Sequence, residues 1–338
     1  MAWYQDLRHL QQPEKVFRNL NMTVKIAVLM DAVEHVKAYK DSSVAMLQGA
    51  QKKGWSCYYF RLADLSCENG QAFADVSQIK ILDTTKPDWF QIKPEGVFNL
   101  NEFDIILMRK DPPFDMEYVY ATYALDLAKK QGVLVVNDPQ VLRDANEKFY
   151  TLNFPQCCPK TIVSRDISKL KTFWETHQNV IFKPLEGMGG KAVFHVPESG
   201  ENLSVILEVL SSSGNVSVMG QVYIPEISIT GDKRILMIDG KPIPYALARI
   251  PAKGELRGNL AAGATGKIVE LTKRDYWICE QLEKDFKQKG IYFAGIDVIG
   301  DYLTEINITS PTCIKEIEKE TGLDIAGELM NSLQQKMT

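Results

Sequence analysis

Apolar residues along this chain alternate between two rhythms. Val24–Met30 (VKIAVLM) is an apolar run ended by Asp31, the pattern of a central strand buried on both faces. Asp41-Ser42-Ser43 then offers N-cap side chains to a helical stretch, Val44–Lys53, which Gly54 closes. Further strands are predicted at Ser56–Leu62, Asp104–Met108 (DIILM) and Val133–Asn137 (VLVVN), with a helix at Tyr118–Lys130 stopped by Gly132. Strands that alternate with helices predict an α/β domain whose parallel sheet is covered on both faces. It should span residues 22–143. Residues 1–21 are polar with scattered aromatics and are interrupted by Pro13; they read as a dispensable extension.

The rhythm changes after residue 143. In a second region, 144–217, a helix is predicted over Leu142–Leu152, carrying Lys148. Asn179–Val196 then reads strand, glycine-rich turn, strand, with Lys183 in the first strand and Gly187, Gly189 and Gly190 in the turn. Glycines let backbone N–H groups converge on an anion, and a strand lysine beside them suits phosphate. The same segment also reads as an ordinary glycine-rich hairpin. No GxxxxGK[ST] and no GxGxxG occurs, so neither a Walker loop nor a dinucleotide fingerprint is present.

The third region, 218–338, has strands at Met219–Ile224, Asp232–Ile238 and Tyr245–Ile250. The first leads to Pro225-Glu226, a candidate hinge and adenine-edge segment. The other two carry Arg234 and Arg249 within apolar runs. Arginines so placed require a partner, either an anionic ligand or an acidic neighbour. Residues 251–266 are small, polar and glycine-punctuated, with Arg257 and Asn259 at their middle; long loops of this kind are lids or disordered. A charged amphipathic helix is predicted over 273–289.

Next comes Gly295–Asn307 (GIDVIGDYLTEIN), two strands joined at Gly300-Asp301. Residues i and i+2 of a strand share a face, so Glu305 and Asn307 project together and pairing brings Asp297 beside them. Three oxygen-bearing side chains suit Mg²⁺ completed by water and phosphate oxygens. A hairpin with its polar positions in solvent shows the same alternation. Beyond it, Ser310 as N-cap and Pro311 at the first helical position predict a helix start, and its free N–H groups could hold a carboxylate or simply be capped. Earlier in the chain, MRKDPPFD (108–115) lies at the carboxyl end of a strand, where open α/β sheets bind ligands. Its prolines could hold Arg109 or Lys110 toward a carboxylate, or merely stiffen a surface loop.

Composition narrows the class. The 338 residues are 45% apolar and 24% charged, with a net charge of −4. This is an ordinary globular balance with no general attraction to nucleic acid or membrane. No window approaches about 18 uninterrupted apolar residues, and no secretory leader is recognisable. The six cysteines show neither CxxC nor zinc spacing, so reduced thiols in a cytoplasmic protein are expected. Four scattered histidines offer no catalytic triad.

Taken in order, the motifs are KDSS (40–43), MRKDPPFD (108–115), NEK (146–148), KPLEGMGG (183–190), GDKRIL (231–236), LARIPAKGELRGNLAAG (247–263) and GIDVIGDYLTEINITSPTCIKEIE (295–318). This series resembles the ATP-grasp superfamily and, within it, the prokaryotic-type glutathione synthetases, over roughly residues 22–335. The resemblance implies that the α/β domain is followed by a two-lobed α+β ATP-grasp domain, with the small lobe at 144–217 and the large lobe at 218–338. It implies ATP-dependent ligation of γ-L-glutamyl-L-cysteine with glycine through an acyl phosphate, in a homotetramer. The nucleotide would be held by Lys148, Lys183, Gly187, Met188, Gly189, Gly190, Gln221, Tyr223 and Ile224. Mg²⁺ or Mn²⁺ would sit on Asp297, Glu305 and Asn307. Arg234, Arg249, Arg257 and Asn259 would serve the chemistry, and Ser42, Arg109 and Ser310 the substrate. Ala264-Thr265 departs from the family pattern, which has glycine or arginine near that end of the lid. Another ATP-grasp carboxylate–amine ligase, or a non-catalytic ATP-binding protein on the same scaffold, would share much of this series.

Overall fold

A computed structural model describes residues 23–187, 190–252, 258 and 263–337. The extension 1–21, Met188, Gly189, Arg257 and Asn259, with most of the proposed lid, lie outside the described residues.

The first region forms β1 (Lys25–Leu29), α1 (Ser42–Lys52), β2 (Ser56–Phe60), β3 (Leu65–Glu68), β4 (Gln71–Ile81), β5 (Phe90–Asn99), β6 (Ile105–Met108), α2 (Met116–Lys130), β7 (Leu134–Val136) and α3 (Pro139–Asp144). Seven strands make one sheet, ordered β3-β4-β2-β1-β6-β7, with β5 also on β4. The expected parallel core is there: β1 pairs in parallel with β2 and β6, and β6 with β7. Asp41 caps α1, its Oδ1 accepting from Val44 N at 2.9 Å.

The sheet is nonetheless mixed, because β4 runs antiparallel to β2, β3 and β5. The ribbon over 65–99 was not expected. In β4 the buried residues are Ala72, Ala74 and Val76, then Ile79 and Ile81. A bulge between Val76 and Ser77 shifts the phase, so no single alternation runs through the strand.

The small lobe contains β8 (Thr161–Ser164), α4 (Ile167–His177), β9 (Val180–Pro184), β10 (Phe194–Val196), α5 (Leu203–Leu210) and β11 (Val218–Val222). Its sheet order is β10-β9-β11-β8. The expected helix over Leu142–Leu152 does not form. α3 stops at Asp144, a 3-10 turn occupies Phe149–Asn153, and Lys148 lies between them. The Asn146 side chain accepts from Lys148 N at 3.1 Å and Phe149 N at 2.9 Å, giving the backbone an alternative to the helical bonds.

The large lobe contains β12 (Asp232–Ile238), β13 (Lys241–Ile250), β14 (Thr265–Glu270), α6 (Lys273–Lys289), β15 (Phe293–Ile299), β16 (Tyr302–Asn307), α7 (Ile314–Thr321) and α8 (Ile325–Lys336). Its antiparallel sheet runs β14-β13-β12-β15-β16. The helix expected to start at Ser310-Pro311 starts instead at Ile314. Its cap comes from elsewhere in the chain: Ser42 Oγ, in the first turn of α1, accepts from Ile314 N at 3.2 Å.

Two apolar cores knit the first region to the large lobe. One joins Ile106 and Leu125 to Phe286 and Ile296; the other joins Leu47 and Leu107 to Ile317 and Leu329. The small lobe closes a third core of its own around Leu170, Phe182, Leu207 and Val218.

α6 is fastened by a buried ion pair. Lys233 Nζ lies 2.5 Å from Asp275 Oδ1, and Thr272 N and Oγ1 donate to Asp275 Oδ2, each at 2.8 Å. Asp275→Ala leaves the buried lysine unpaired and should cost about 3–5 kcal/mol of unfolding free energy, lowering the urea midpoint. The double variant Lys233→Met/Asp275→Ala should recover much of that loss. A double variant no more stable than Asp275→Ala alone would place the cost in the lost Thr272 cap.

Candidate active site

The small and large lobes enclose a cavity of about 340 Å³. One wall is the small-lobe sheet. Lys183 on β9 is buried, and desolvation lowers its pKa against the pull of Glu305. Gln221, Tyr223 and Ile224, at and just beyond the end of β11, line the same wall, as do Gly187 and Gly190. Both glycines have positive φ, 96° and 70°, where a side chain would be strained. Lys148 reaches in from the loop after α3. Its Nζ donates to Glu147 Oε1 at 2.6 Å, Gly187 O at 2.9 Å and Leu185 O at 3.4 Å. Lys148 therefore holds the base of the glycine-rich turn.

The opposite wall is the large-lobe sheet, and its register sets the chemistry. Arg234 lies opposite Asp297, Asp297 opposite Glu305, and Gly295 opposite Asn307. The carboxylates and the amide expected to converge thus line one stretch of cavity. Gly295 is glycine because a Cβ there would stand 2.8 Å from Arg234 Cδ. Arg234 grips Asp297 with two bonds, Nε to Oδ1 at 2.5 Å and Nη2 to Oδ2 at 2.9 Å. Arg249 Nη2 lies 3.0 Å from Asp297 Oδ2 and also bonds Asp232 Oδ2. Of the two partners the sequence left open for the arginines, the structure has the acidic neighbour. Asn307 Nδ2 approaches Asp297 Oδ2 at 3.4 Å, and Lys183 Nζ stands 3.9 Å from Glu305 Oε1 across the cavity.

The two aspartates respond in opposite senses. Burial works against ionised Asp297, but the two guanidiniums outweigh it and hold its pKa at about 2. Burial pushes Asp232 up to about 7; Arg249 opposes this, while Asp297 and Glu305 add to it. Asp232 Oδ1 and Arg249 Nε are buried and have no hydrogen-bond partner among the described residues.

The substrate residues expected from the N-terminal motifs are placed differently. Ser42 is fully buried and caps α7. Arg109 is 5% exposed; its Nε donates to Ser43 Oγ at 3.0 Å and its Nη2 to Pro311 O at 2.9 Å. Neither lines the cavity, because their polar atoms fasten the first sheet to the segment after β16. Their neighbours Asp111 and Pro112 do line it, and so does Ser310, whose Oγ donates to Arg109 O at 3.4 Å.

Several cavity residues were not foreseen. Glu147 adjoins Lys148, and burial raises its pKa, with Lys148 opposing. His195 stacks on Tyr223 with ring centroids 4.2 Å apart, and its Nε2 lies 2.6 Å from Asn179 Oδ1. Glu147 sits inside the NEK motif and His195 inside the predicted strand after the glycine-rich turn, where its facing depends on strand pairing, here His195 opposite Ile181.

Asp297, Glu305 and Asn307 form an oxygen donor set of the kind Mg²⁺ or Mn²⁺ takes. Among the described residues, no group of three or more His, Cys, Asp or Glu side chains could hold a metal. An ion here would draw on the Asn307 amide and on nucleotide oxygens as well, and the residues present fit that arrangement.

Solved structures share the architecture. A D-cycloserine synthetase superposes with a TM-score of 0.66 at 13% identity, covering 93% of this chain and 100% of that one. A D-alanyl-alanine synthetase A from Vibrio cholerae superposes with a TM-score of 0.55 at 12% identity, covering 93% and 98%. An ATP-grasp ligase bound to a minimal precursor gives 0.61 at 16% identity, covering 93% and 100%. The fold is therefore that of the ATP-grasp ligases, with a cationic wall facing an acidic one. Two family models match: the prokaryotic glutathione synthetase N-terminal domain over residues 24–143 and the prokaryotic glutathione synthetase ATP-grasp domain over 147–322. Glutathione synthetases of Pseudomonas syringae pv. tomato and Vibrio parahaemolyticus are 50% and 48% identical to it over 317 and 314 residues. These alignments cover 94% and 93% of this chain and 98% and 99% of the relatives. The chain belongs to the prokaryotic glutathione synthetase family.

The opposite shifts at Asp297 and Asp232 give opposite pH dependences. Asp297, held below its ordinary 3.8, contributes stability above that value and loses it as pH falls toward about 2. Asp232, held above 3.8, binds its proton more tightly when folded. Its contribution is full below that value and is lost as pH rises through about 7. The melting temperature of the ligand-free protein should therefore fall less steeply from pH 4 to 8 in Asp232→Asn than in the parent. Equal slopes would mean that Asp232 stays ionised throughout.

Proposed function

We propose that this protein joins the cysteinyl carboxylate of γ-L-glutamyl-L-cysteine to the amine of glycine, converting ATP to ADP and phosphate and yielding glutathione. One observation carries this: a lysine wall faces a carboxylate wall across a single cavity, in a chain matching glutathione synthetases over nearly its whole length. The division at residues 143 and 217 belongs to the same proposal.

A carboxylate is a poor acyl donor, so it attacks the γ-phosphorus first, and the bond to the β-phosphate breaks as ADP leaves. Such transfer needs positioning and charge neutralisation. Lys148 and Lys183 lie on the cavity wall where phosphates would be met, and Gly187–Gly190 would cover them. Gln221, Tyr223 and Ile224 would flank the adenine. Arg234 and Arg249, already poised on Asp297, would turn toward the transferring group. Mg²⁺ or Mn²⁺ on Asp297, Glu305 and Asn307 would neutralise charge on the β- and γ-phosphates. The glycine nitrogen then attacks the acyl carbon, the C–O bond to phosphate breaks, and the nitrogen sheds its proton. Ser310, which lines the cavity, would contact the dipeptide. Arg257 and Asn259 would belong to a lid over 251–266 that keeps water from the acyl phosphate.

No helix among the described residues is long and apolar enough to cross a membrane. A cytoplasmic homotetramer is part of the proposal, with light scattering as its measurement.

Oxygen-18 placed in the cysteinyl carboxylate should appear in the released phosphate once glycine is added. Unlabelled phosphate would sink the acyl-phosphate route. In a phosphate-release panel, γ-glutamylcysteine with glycine should outrun D-alanine pairs and other dipeptides; preference for another pair would replace the substrate assignment.

Glu305→Gln removes a charge with little change of volume. Turnover should fall on the order of 10²-fold or more with the fold intact. Near-parental turnover at limiting Mg²⁺ would remove Glu305 from the site.

A further inference from the structure

Asn137 follows the last residue of β7 and is 4% exposed. All four bonds of its side chain cross to the large lobe. Nδ2 donates to Phe293 O and to Ile308 O, each at 2.7 Å. Oδ1 accepts from Tyr292 N at 2.8 Å and from Phe293 N at 3.0 Å. Two donors and two acceptor positions are the whole capacity of a primary amide. A carboxylate could not donate to the carbonyls, and a hydroxyl could not fill all four places.

The points it ties have a common meaning. Phe293 opens β15, the strand bearing Asp297, and Ile308 directly follows Asn307 at the end of β16. The clamp therefore spans the entrance of one strand and the exit of the other. β16 is held on its far side as well, where Ile306 N donates to Glu147 O at 2.8 Å. Resting on the reading of Asp297, Glu305 and Asn307 as metal ligands, we propose that Asn137 is a positioning residue. Its amide fixes the spacing between the two strand ends and so holds Asn307 opposite Gly295, beside the Asp297–Glu305 pair. Asn137 thereby acts on the cation site without lining the cavity.

The test is Mn²⁺ binding in the presence of ADP, read from the electron paramagnetic resonance of free Mn²⁺, with folding followed by circular dichroism. Asn137→Ala should raise the Mn²⁺ dissociation constant about tenfold, the scale seen when outer partners of metal ligands are lost. Asn307→Ala should do the same. The double variant should bind about as Asn307→Ala alone, because coupled residues are not additive. If Asn307→Ala weakens binding while Asn137→Ala stays within about twofold of the parent, Asn137 is only a structural joint and the proposal falls. If neither variant changes binding, the metal assignment of Asn307 fails and takes the proposal with it. Should Asn137→Ala not fold, Asn137→Asp, which keeps both acceptor bonds, is measured against the same outcomes.

Discussion

A carboxylate buried in the floor of a cavity is costly unless something answers its charge. Asp297 is answered twice, by the two-point grip of Arg234 and by Arg249. Each of those guanidiniums is itself buried, and the carboxylate answers both. The cluster fixes much else around it. It requires glycine at 295, where a side chain would strike Arg234. It recruits Asp232 as the second partner of Arg249. It also stores cationic groups at the place where a phosphoryl group would be transferred, balanced by a carboxylate that a divalent cation would engage. Ligand binding at such a site is an exchange of partners among charges already desolvated, so reorganisation is small when the chemistry begins.

The parallel core, the two-lobed remainder and the hairpin over 295–307 were legible in the sequence, because each follows from a short-range rule. Apolar runs marked β1, β6 and β7, a cap marked α1, an amphipathic period marked α6, and i, i+2 spacing put Glu305 beside Asn307. What escaped depends on distant parts of the chain. The β4 ribbon was hidden by a bulge that shifts its alternation. The start of α7 was misplaced because its cap is Ser42, 272 residues away in sequence. Lys148 was put on a helix that the Asn146 side chain prevents. Ser42 and Arg109 were singled out for substrate within their motifs, but the motif could not say that they fasten two regions while Asp111 and Pro112 face the cavity. Asn137 looked like the polar end of a strand, and only the folded chain shows four partners around its amide.

The distribution of apolar cores has a mechanical meaning. The first region and the large lobe share two cores, one of which also takes in Tyr150, Phe154 and Cys157 from the start of the small lobe, whereas the small lobe from β8 to β11 seals its own. A shift of the part from β8 to β11 would therefore leave those two cores closed. The cavity lies along that seam, and the side chains facing across it belong to bodies of unequal freedom. Lys183 belongs to the small-lobe sheet and Glu305 to the large-lobe sheet. Their 3.9 Å separation is thus a built-in ruler for the jaw: a single interatomic span records how far the two halves have come together, independently of any loop that covers them.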